Sequence, residues 1–296
     1  MRFPELVLLA GLSMSVSYAE ESVRFAKYEG HKEMAYAFDV LAPWANGGKL
    51  TINFPEHLQF KTTGKVAILA EYEKNVKGWQ IAADGLSAVL EEASQFQPGV
   101  KVKATAKVVQ GTRVEFTLVV TNESKSTFPD LVPLLCHHYG QLAGFPKGVP
   151  DSFKHTYAMQ GGKLTALADM PFEKADAEVR GAYIAGCSQR PQNVKDFPAR
   201  FGGFIEKDLD AALVALTALD GKHKVLLTWT PGMSLLSNAS IPCLHADPFL
   251  GTLEPGKTVE AKGVLVFTDA ALEEAVAALQ KEGAGAPPKK PEAPAK

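Results

Sequence analysis

Histidine is the residue type in this sequence whose placement points most directly to chemistry. Four of the seven histidines fall in the middle of the chain: His137, His138, His155 and His245. Three of them stand in two short segments, 136–139 and 243–247, that also contain a cysteine. Imidazole titrates near neutral pH and is a common metal ligand. These segments are therefore candidates for acid–base catalysis or for metal binding.

The first segment, 136–139, follows a strand-like apolar run over 131–135 and reads Cys-His-His-Tyr. Neighbouring residues of a strand point to opposite faces of the sheet. Only one of His137 and His138 is therefore expected to face a given site.

The second segment, 243–247, alternates polar and apolar residues. If it is extended, Cys243, His245 and Asp247 share one face. Spacing along the chain leaves open whether this face meets the first segment. Two sites are predicted as alternatives: an acid–base site of His138, His155 and His245, or a divalent metal site of His138, His245 and Asp247.

Arginine and tryptophan supply a second set of candidate binding residues. Arg180 and Arg190 stand on either side of a Gly-Cys-Ser-Gln stretch, and the planar guanidinium group can donate paired hydrogen bonds to sugar hydroxyls or carboxylates. Salt bridges or loop contacts are the alternative. Trp229 lies in a strongly apolar run and is predicted to be core. The residues predicted to bind substrate are Arg180, Arg190, Trp44 and Trp79.

The three cysteines, Cys136, Cys187 and Cys243, show no CxxC spacing. This excludes the usual pattern of a zinc ribbon or a redox pair. An odd number leaves at least one thiol outside any intrachain disulfide. Buried apolar thiols, one disulfide and metal ligation all remain open. The chain contains no Walker loop, Rossmann fingerprint, HExxH or GxSxG motif.

The positioning elements are predicted to be short strands separated by turns. Alternation over 100–109 and a β-branched run over 113–121 flank a Gln-Gly-Thr turn, which predicts an antiparallel hairpin. An Asp-Gly pair at 220–221 divides the apolar segment 209–229 and predicts a second hairpin. Further strands are predicted at 50–54, 65–69 and 258–267.

One helix is predicted, over 269–282, and it is expected to pack on the edge of the strand system. Its apolar residues fall on one face, at Leu272, Val276 and Leu279. Asp269 is placed to cap its start and Gly283 to end it.

Composition is consistent with one folded unit. The chain has 296 residues, 46% of them hydrophobic, and a net charge of −2 from 31 basic and 33 acidic residues. This balance argues against a nucleic-acid binder and against wholesale disorder. Neither an internal repeat nor a linker interrupts residues 20–282. We predict a single all-β domain there, a large antiparallel β-sandwich with one C-terminal helix.

The two ends of the chain differ in composition from residues 20–282. Residues 1–19 combine an arginine, a short apolar run and small residues before a cleavage position at Ala19, which predicts a signal peptide and a secreted or periplasmic protein. No later stretch is long and apolar enough to span a bilayer. Residues 283–296 are rich in Gly, Ala, Pro and Lys and are predicted to be a flexible tail. The tail carries +2, which leaves −4 on the remainder.

Two regions resemble galactose-mutarotase-like supersandwich domains of exported bacterial proteins. In the first, Arg113–Ser124 (RVEFTLVVTNES) followed by residues 125–130 is similar to a strand and Thr-Asn-x-Ser turn of that family. In the second, residues 247–251 and 253–258 with the strand to Phe267 are similar to its closing part. The resemblance implies a large antiparallel supersandwich and a carbohydrate-related role. The family's epimerases use a histidine acid and a carboxylate base, and no flanking motif here matches either.

Three functions follow as alternatives. The first is an exported protein that binds or processes a carbohydrate, with no cofactor expected. The second is an exported metal-binding protein that uses a His/Asp cluster, and the third is a non-enzymatic interaction module. Neither the substrate nor the oligomeric state follows from the sequence.

Overall fold

The computed structural model describes residues 22–31, 34–62, 65–68, 76–95, 97–171, 178–185 and 207–287. The first nine strands are β1 Arg24–Lys27, β2 Ala37–Leu41, β3 Lys49–Thr62, β4 Lys65–Ile68, β5 Gln80–Ile81, β6 Ser87–Ala93, β7 Val100–Val109, β8 Arg113–Asn122 and β9 Phe128–His138. The next nine are β10 Thr156–Gln160, β11 Lys163–Ala166, β12 Val179–Tyr183, β13 Leu213–Thr217, β14 Lys224–Thr230, β15 Gly232–Asn238, β16 Cys243–Pro248, β17 Gly251–Leu253 and β18 Thr258–Thr268. The helices are α1 Asp151–Lys154, a 3-10 turn Leu167–Asp169 and α2 Leu272–Lys281.

The strands form two large antiparallel sheets packed as a β-sandwich, which confirms the predicted all-β fold. Among the described residues, the first sheet runs β1-β2-β3-β9-β16-β15-β12, with β4 beside β3 and β17 beside β9. The second runs β11-β10-β13-β14-β18-β8-β7-β6-β5. Residues far apart in sequence thus become neighbours in the first sheet, where β9 lies between β3 and β16.

Both predicted hairpins are present. Strand β7 pairs with β8 from Val100 opposite Asn122 to Val109 opposite Arg113, so the turn falls at residues 110–112. Strand β13 pairs with β14 across the predicted Asp-Gly turn. The first arm of this second hairpin is shorter than predicted, because β13 begins at Leu213 rather than at residue 209.

Aromatic side chains from both sheets meet in the core. Phe54 of β3 lies with its ring centroid 5.1 Å from that of Trp229 and 5.7 Å from that of Phe116. Phe116 and Trp229, on the second sheet, stack with an interplanar angle of 17°. Trp229 is buried, as predicted. These rings join the two layers.

A bulge interrupts β3 where it pairs with β9. Asn53 lies opposite Cys136 but His57 lies opposite Leu134, so β3 contains extra residues between them. A strand was predicted to end at Pro55, whereas the structure continues it to Thr62 past this irregularity. Bulges of this kind re-aim side chains, and this one brings Glu56 and His57 to the pocket described below.

Helix α2 lies on the outer face of the second sheet rather than on its edge. Its buried residues pack in one cluster with Leu213, Ala215 and Leu226 of the central strands β13 and β14. Asp269 does not cap the helix, because the helix begins at Leu272 and Ala271 occupies the N-cap position. The carboxylate of Asp269 contacts His223 Nδ1 at 2.7 Å. Gly283 ends the helix as predicted, with φ of 75° and an N–H donated to Gln280.

The beginning of the predicted tail is held by the sandwich. Gly285 O accepts a hydrogen bond from Ala212 N, and Ala286 O accepts one from Gly232 N, both at 2.8 Å. Residues 283–287 therefore differ from the flexible segment predicted there. The rest of the tail lies outside the described residues, as do the signal-peptide segment, Cys187 and Arg190. Export stays a prediction. In the part of the chain that the structure describes, no helix has the length and apolarity needed to cross a membrane.

Candidate functional site

Strands β9 and β16 bring the two histidine segments together. Cys243 pairs with His138, and Leu244 pairs with His137. Since side chains alternate, the odd-numbered residues of β16 share a face with Cys136 and His138 of β9. His137 points the other way, into the core, and is buried. The sequence-based expectation that only one of the adjacent histidines faces the site therefore agrees with the structure.

Two sulfurs and one imidazole converge on this shared face. One ligand atom from each of Cys136, Cys243 and His245 lies within 4.8 Å of the other two, and all three residues are buried. Cys243 Sγ is 3.7 Å from His245 Nε2. His138 Nε2 contacts Cys136 Sγ at 3.2 Å from the more exposed side. Both cysteines are free thiols.

Asp247 lies behind the imidazole of His245 rather than beside the sulfurs. Its Oδ1 is 3.6 Å from His245 Nδ1 and accepts a hydrogen bond from Leu135 N at 3.1 Å. Ser234 Oγ donates to its other oxygen at 3.5 Å. The carboxylate is thus fixed by the backbone of β9 and by a side chain of β15. It faces Nδ1 of His245 at a distance longer than a hydrogen bond.

Burial and contact set the protonation of this cluster. Hydrogen bonding with Cys136 lowers the pKa of Cys243 well below its usual range, whereas burial raises the pKa of Cys136 well above it. Burial acts to lower the pKa of His245, but contacts with Asp247 and Cys243 outweigh it and raise that pKa well above the ordinary value. The arrangement favours a thiolate at Cys243 facing an imidazolium at His245.

A pocket of about 170 Å³ opens directly beside the cluster. Cys136, His138, Cys243 and His245 form part of its wall. The other lining residues come from β3, β9, β12, β15 and the β15–β16 turn: Glu56, His57, Leu134, Val179, Leu236, Asn238 and Ile241. Burial raises the pKa of the Glu56 carboxyl.

His155 and Arg180, two other predicted site residues, do not line this pocket. His155 follows α1, and its Nδ1 contacts Thr217 Oγ1 at 3.1 Å. Arg180 donates to the carbonyl of Leu167, and its guanidinium lies 4.6 Å above the ring of Phe153. Both contacts are internal to the protein, so the structure brings together His138 and His245 but not His155.

The predicted sugar-stacking tryptophans pack inside the sandwich. Trp79 Nε1 donates to the carbonyls of Tyr36 and Phe54 at 3.0 and 2.9 Å. Trp44 is partly buried against Phe145 and Phe267. Neither ring lines the pocket.

The presence of two sulfurs favours one of two possible chemistries of this cluster, a metal site over a thiol nucleophile. Cys243, His245 and Asp247 also have the order of a thiol nucleophile, its base and an orienting carboxylate. A nucleophile uses one sulfur, however, whereas a second buried sulfur beside the same imidazole is typical of a metal site. Sequence reasoning named neither Cys136 nor Cys243 as a ligand, although it placed Cys243 on the face of His245, and it missed Glu56 and His57 altogether. No local pattern identifies them, because the strand pairing and the bulge place them.

The comparisons with known proteins concern the fold. No protein-family model and no curated protein matches the chain. Among solved structures, the chain is similar to a polysaccharide lyase at 11% identity and a TM-score of 0.43, over 88% of this chain and 34% of that one, so it spans about a third of the lyase. It is similar to a protein from Synechocystis sp. PCC 6803 at 12% identity and a TM-score of 0.38, over 80% and 93% of the two chains. It is also similar to a GalM/aldose epimerase homologue from C. elegans at 11% identity and a TM-score of 0.36, over 72% and 78%. Because all three TM-scores are below 0.5, these similarities carry no conclusion about the activity of this chain.

Proposed function

We propose that this protein binds a divalent metal ion, with Zn²⁺ as the best match, through Cys136, Cys243 and His245. The observation that carries the proposal is the convergence of two buried sulfurs and one buried imidazole within 4.8 Å. Thiolate and imidazole together select zinc over magnesium or calcium, which prefer oxygen ligands. This set differs from the predicted ligands, since Cys136 and Cys243 enter it and Asp247 supports it from behind.

The distances suit a tetrahedral ion. Zn–S bonds of about 2.3 Å and Zn–N bonds of about 2.0 Å place ligand atoms about 3.5–3.8 Å apart. Cys243 Sγ and His245 Nε2 are already 3.7 Å apart. Binding therefore needs only a small contraction of the trio.

Asp247 lies on the side of His245 where metal-ligating histidines usually have an outer partner. Such histidines usually direct their second ring nitrogen at a carboxylate or a carbonyl. Asp247 Oδ1 faces His245 Nδ1 at 3.6 Å and is held by Leu135 N. This leaves Nε2 of His245 to face the sulfurs.

The strand register favours a metal over a disulfide. Cys243 lies directly opposite His138 on β9. Cys136 is two residues before His138 on the same strand, so the two cysteines are diagonal neighbours. Diagonal neighbours in an antiparallel ladder are about 7–8 Å apart at their Cα atoms, beyond the usual span of a disulfide. A metal ion between the sulfurs bridges this separation without moving the strands.

A zinc titration tests the proposal. The full chain, purified without a metal-binding tag and reduced, is titrated with Zn²⁺ against a chromogenic chelator. We expect one ion per chain, lost in Cys243→Ala and in His245→Gln. Cys136→Ala, which keeps a small apolar residue at that position, is expected to weaken binding strongly. His155→Gln is the matched control and is expected to bind like the wild type.

Thermal unfolding provides a second readout. Zinc at about 100 times its dissociation constant stabilises a folded chain by about 2.7 kcal/mol. The wild type and His155→Gln are expected to show this gain, and Cys243→Ala is not. A folded, reduced wild-type chain that takes up no zinc and gains no stability contradicts the proposal.

A carbohydrate role stays a prediction beside the metal site. Two of the similar structures are named as a polysaccharide lyase and as a GalM/aldose epimerase homologue. These names describe the other proteins and not this chain. A glycan array probed with the folded chain tests the prediction, with zinc added or withheld. Absence of binding under both conditions removes it and leaves the metal proposal standing.

A further inference from the structure

The pocket and the metal ligands share a wall. Cys136, Cys243 and His245 line both the proposed metal position and the pocket of about 170 Å³. Behind them lie the backbones of β9 and β16 and the carboxylate of Asp247. Among the described residues, the pocket is the solvent-accessible space that adjoins this trio.

The trio supplies three ligands, whereas zinc prefers four. His138 is not part of the mutually close set. It contacts Cys136 Sγ at 3.2 Å and lies half-buried in the pocket wall, where it is placed to hydrogen-bond that sulfur. An exogenous fourth ligand would reach the ion from the side of the pocket.

We infer that the metal centre keeps its fourth coordination position open to the pocket and takes a small exogenous ligand there. This inference rests on the proposed metal function and specifies its type. Closed zinc sites with four protein ligands are structural, whereas sites with three protein ligands and one open position are those that carry out catalysis. The centre belongs to the second type.

The pocket wall defines the class of ligand. Leu134, Val179, Leu236 and Ile241 make most of it apolar, and Glu56 and Asn238 add polar groups. The fitting molecule is small, with one donor atom for the metal and a compact apolar remainder. Glu56 is an ionisable wall residue outside the ligand trio.

Cobalt substitution makes the open position visible. The full chain is loaded with Co²⁺, whose visible absorption bands change when its coordination changes, and is titrated with azide and separately with imidazole. We expect saturable band shifts with both probes. Ile241 lies at the pocket mouth with 57% of its surface exposed, so Ile241→Trp is expected to narrow the entrance. This substitution should weaken the binding of azide and of imidazole by about tenfold or more and leave the affinity for cobalt unchanged.

Two further variants complete the design. Leu219 is exposed to the same degree as Ile241 and does not line the pocket, so Leu219→Trp is expected to bind both probes like the wild type. His138→Gln is expected to retain cobalt, because its side chain lies outside the ligand trio.

The outcomes separate this inference from the proposed function. If cobalt binds but neither probe shifts its bands, or if His138→Gln loses the metal, His138 is the fourth ligand and the site is closed. This inference then fails while the metal function stands. If no cobalt binds to the folded chain, both fail. If the probes shift the bands equally in the wild type and in Ile241→Trp, the open position does not face this pocket and the inference is overturned.

Discussion

Two adjacent histidines of β9 occupy opposite environments, and only one of them is available for chemistry. His138 lines the pocket beside Cys136. His137 is buried beneath the sheet, with Nδ1 3.2 Å from the carbonyl oxygen of Leu135. Burial lowers the pKa of His137 from 6.5 to about 3. Strand alternation predicted that the side chains of His137 and His138 point to opposite faces of the sheet. Which of the two is buried in the core depends on the residues packed against each face.

This difference predicts a pH dependence of stability. His137 stays neutral when folded, whereas the unfolded chain takes up a proton near pH 6.5. The free energy of unfolding therefore falls as the pH drops from about 6.5 towards 3, by up to about 1.4 kcal/mol per pH unit from this residue. His137→Phe removes that contribution and is expected to show a shallower slope between pH 6 and pH 4. Urea unfolding at several pH values measures both slopes.

The comparison of the wild type with His137→Phe controls for the titration of the neighbouring histidines. His138 and His245, the nearby histidines that also influence the pKa of His137, are present in both proteins, so their own titration largely cancels in the difference. Equal slopes for the wild type and His137→Phe would show that His137 does not resist protonation in the folded state.

At the scale of elements, local patterns predicted single strands and hairpins well. Strand β7 matches its predicted range, and β8 and β18 extend theirs by one residue, because alternation and turn chemistry act within a few residues. The pairing of β9 with β3 and β16 has no such local signal, since it depends on the packing of the whole sheet. The same holds for the bulge in β3 that places Glu56. The histidine and cysteine segments were thus identified from the sequence, but not their convergence.

Helix α2 gives a prediction at this scale. Leu279 is buried against the outer face of the second sheet, so Leu279→Ala is expected to lower the free energy of unfolding by about 2–5 kcal/mol. Glu282 pairs with Arg113 at 2.7 Å but is half exposed, so Glu282→Ala is expected to cost less than about 1 kcal/mol. Chemical denaturation measures both values.

The exposed Gln280 of the same helix provides the control, since Gln280→Ala keeps helix propensity and removes no buried contact. A cost for Leu279→Ala no larger than that for Gln280→Ala would mean that α2 does not depend on this packing.

The whole molecule depends on the aromatic contact between its two sheets. Gly263 of β18 lies against the ring of Trp229, and a Cβ added there would lie 2.4 Å from a ring atom. Trp229 in turn stacks on Phe116 and meets Phe54 of the opposite sheet. The strand patterns predicted one all-β unit, and the apolar run around Trp229 predicted that this residue is buried. Neither pattern indicated that a glycine makes room for that ring.

Gly263→Ala is therefore expected to destabilise the protein by about 1–3 kcal/mol through overpacking. Gly140→Ala is the matched control, because its new Cβ would meet only Pro242, at 3.7 Å, an ordinary contact. Thermal unfolding of the two variants measures the difference. Similar melting temperatures for both would show that the contact between the sheets adapts to the added methyl group.

Leu135 and Asp247, which are joined by a hydrogen bond beside the proposed metal site, are 112 residues apart in the chain. Closing so long a loop costs entropy before any contact is gained, so we expect β9 and β16 to meet late in folding. The thiols remain far apart until the intervening strands β10 to β15 have found their places. If the proposed metal site is occupied, metal uptake then follows the joining of β16 to the sheet.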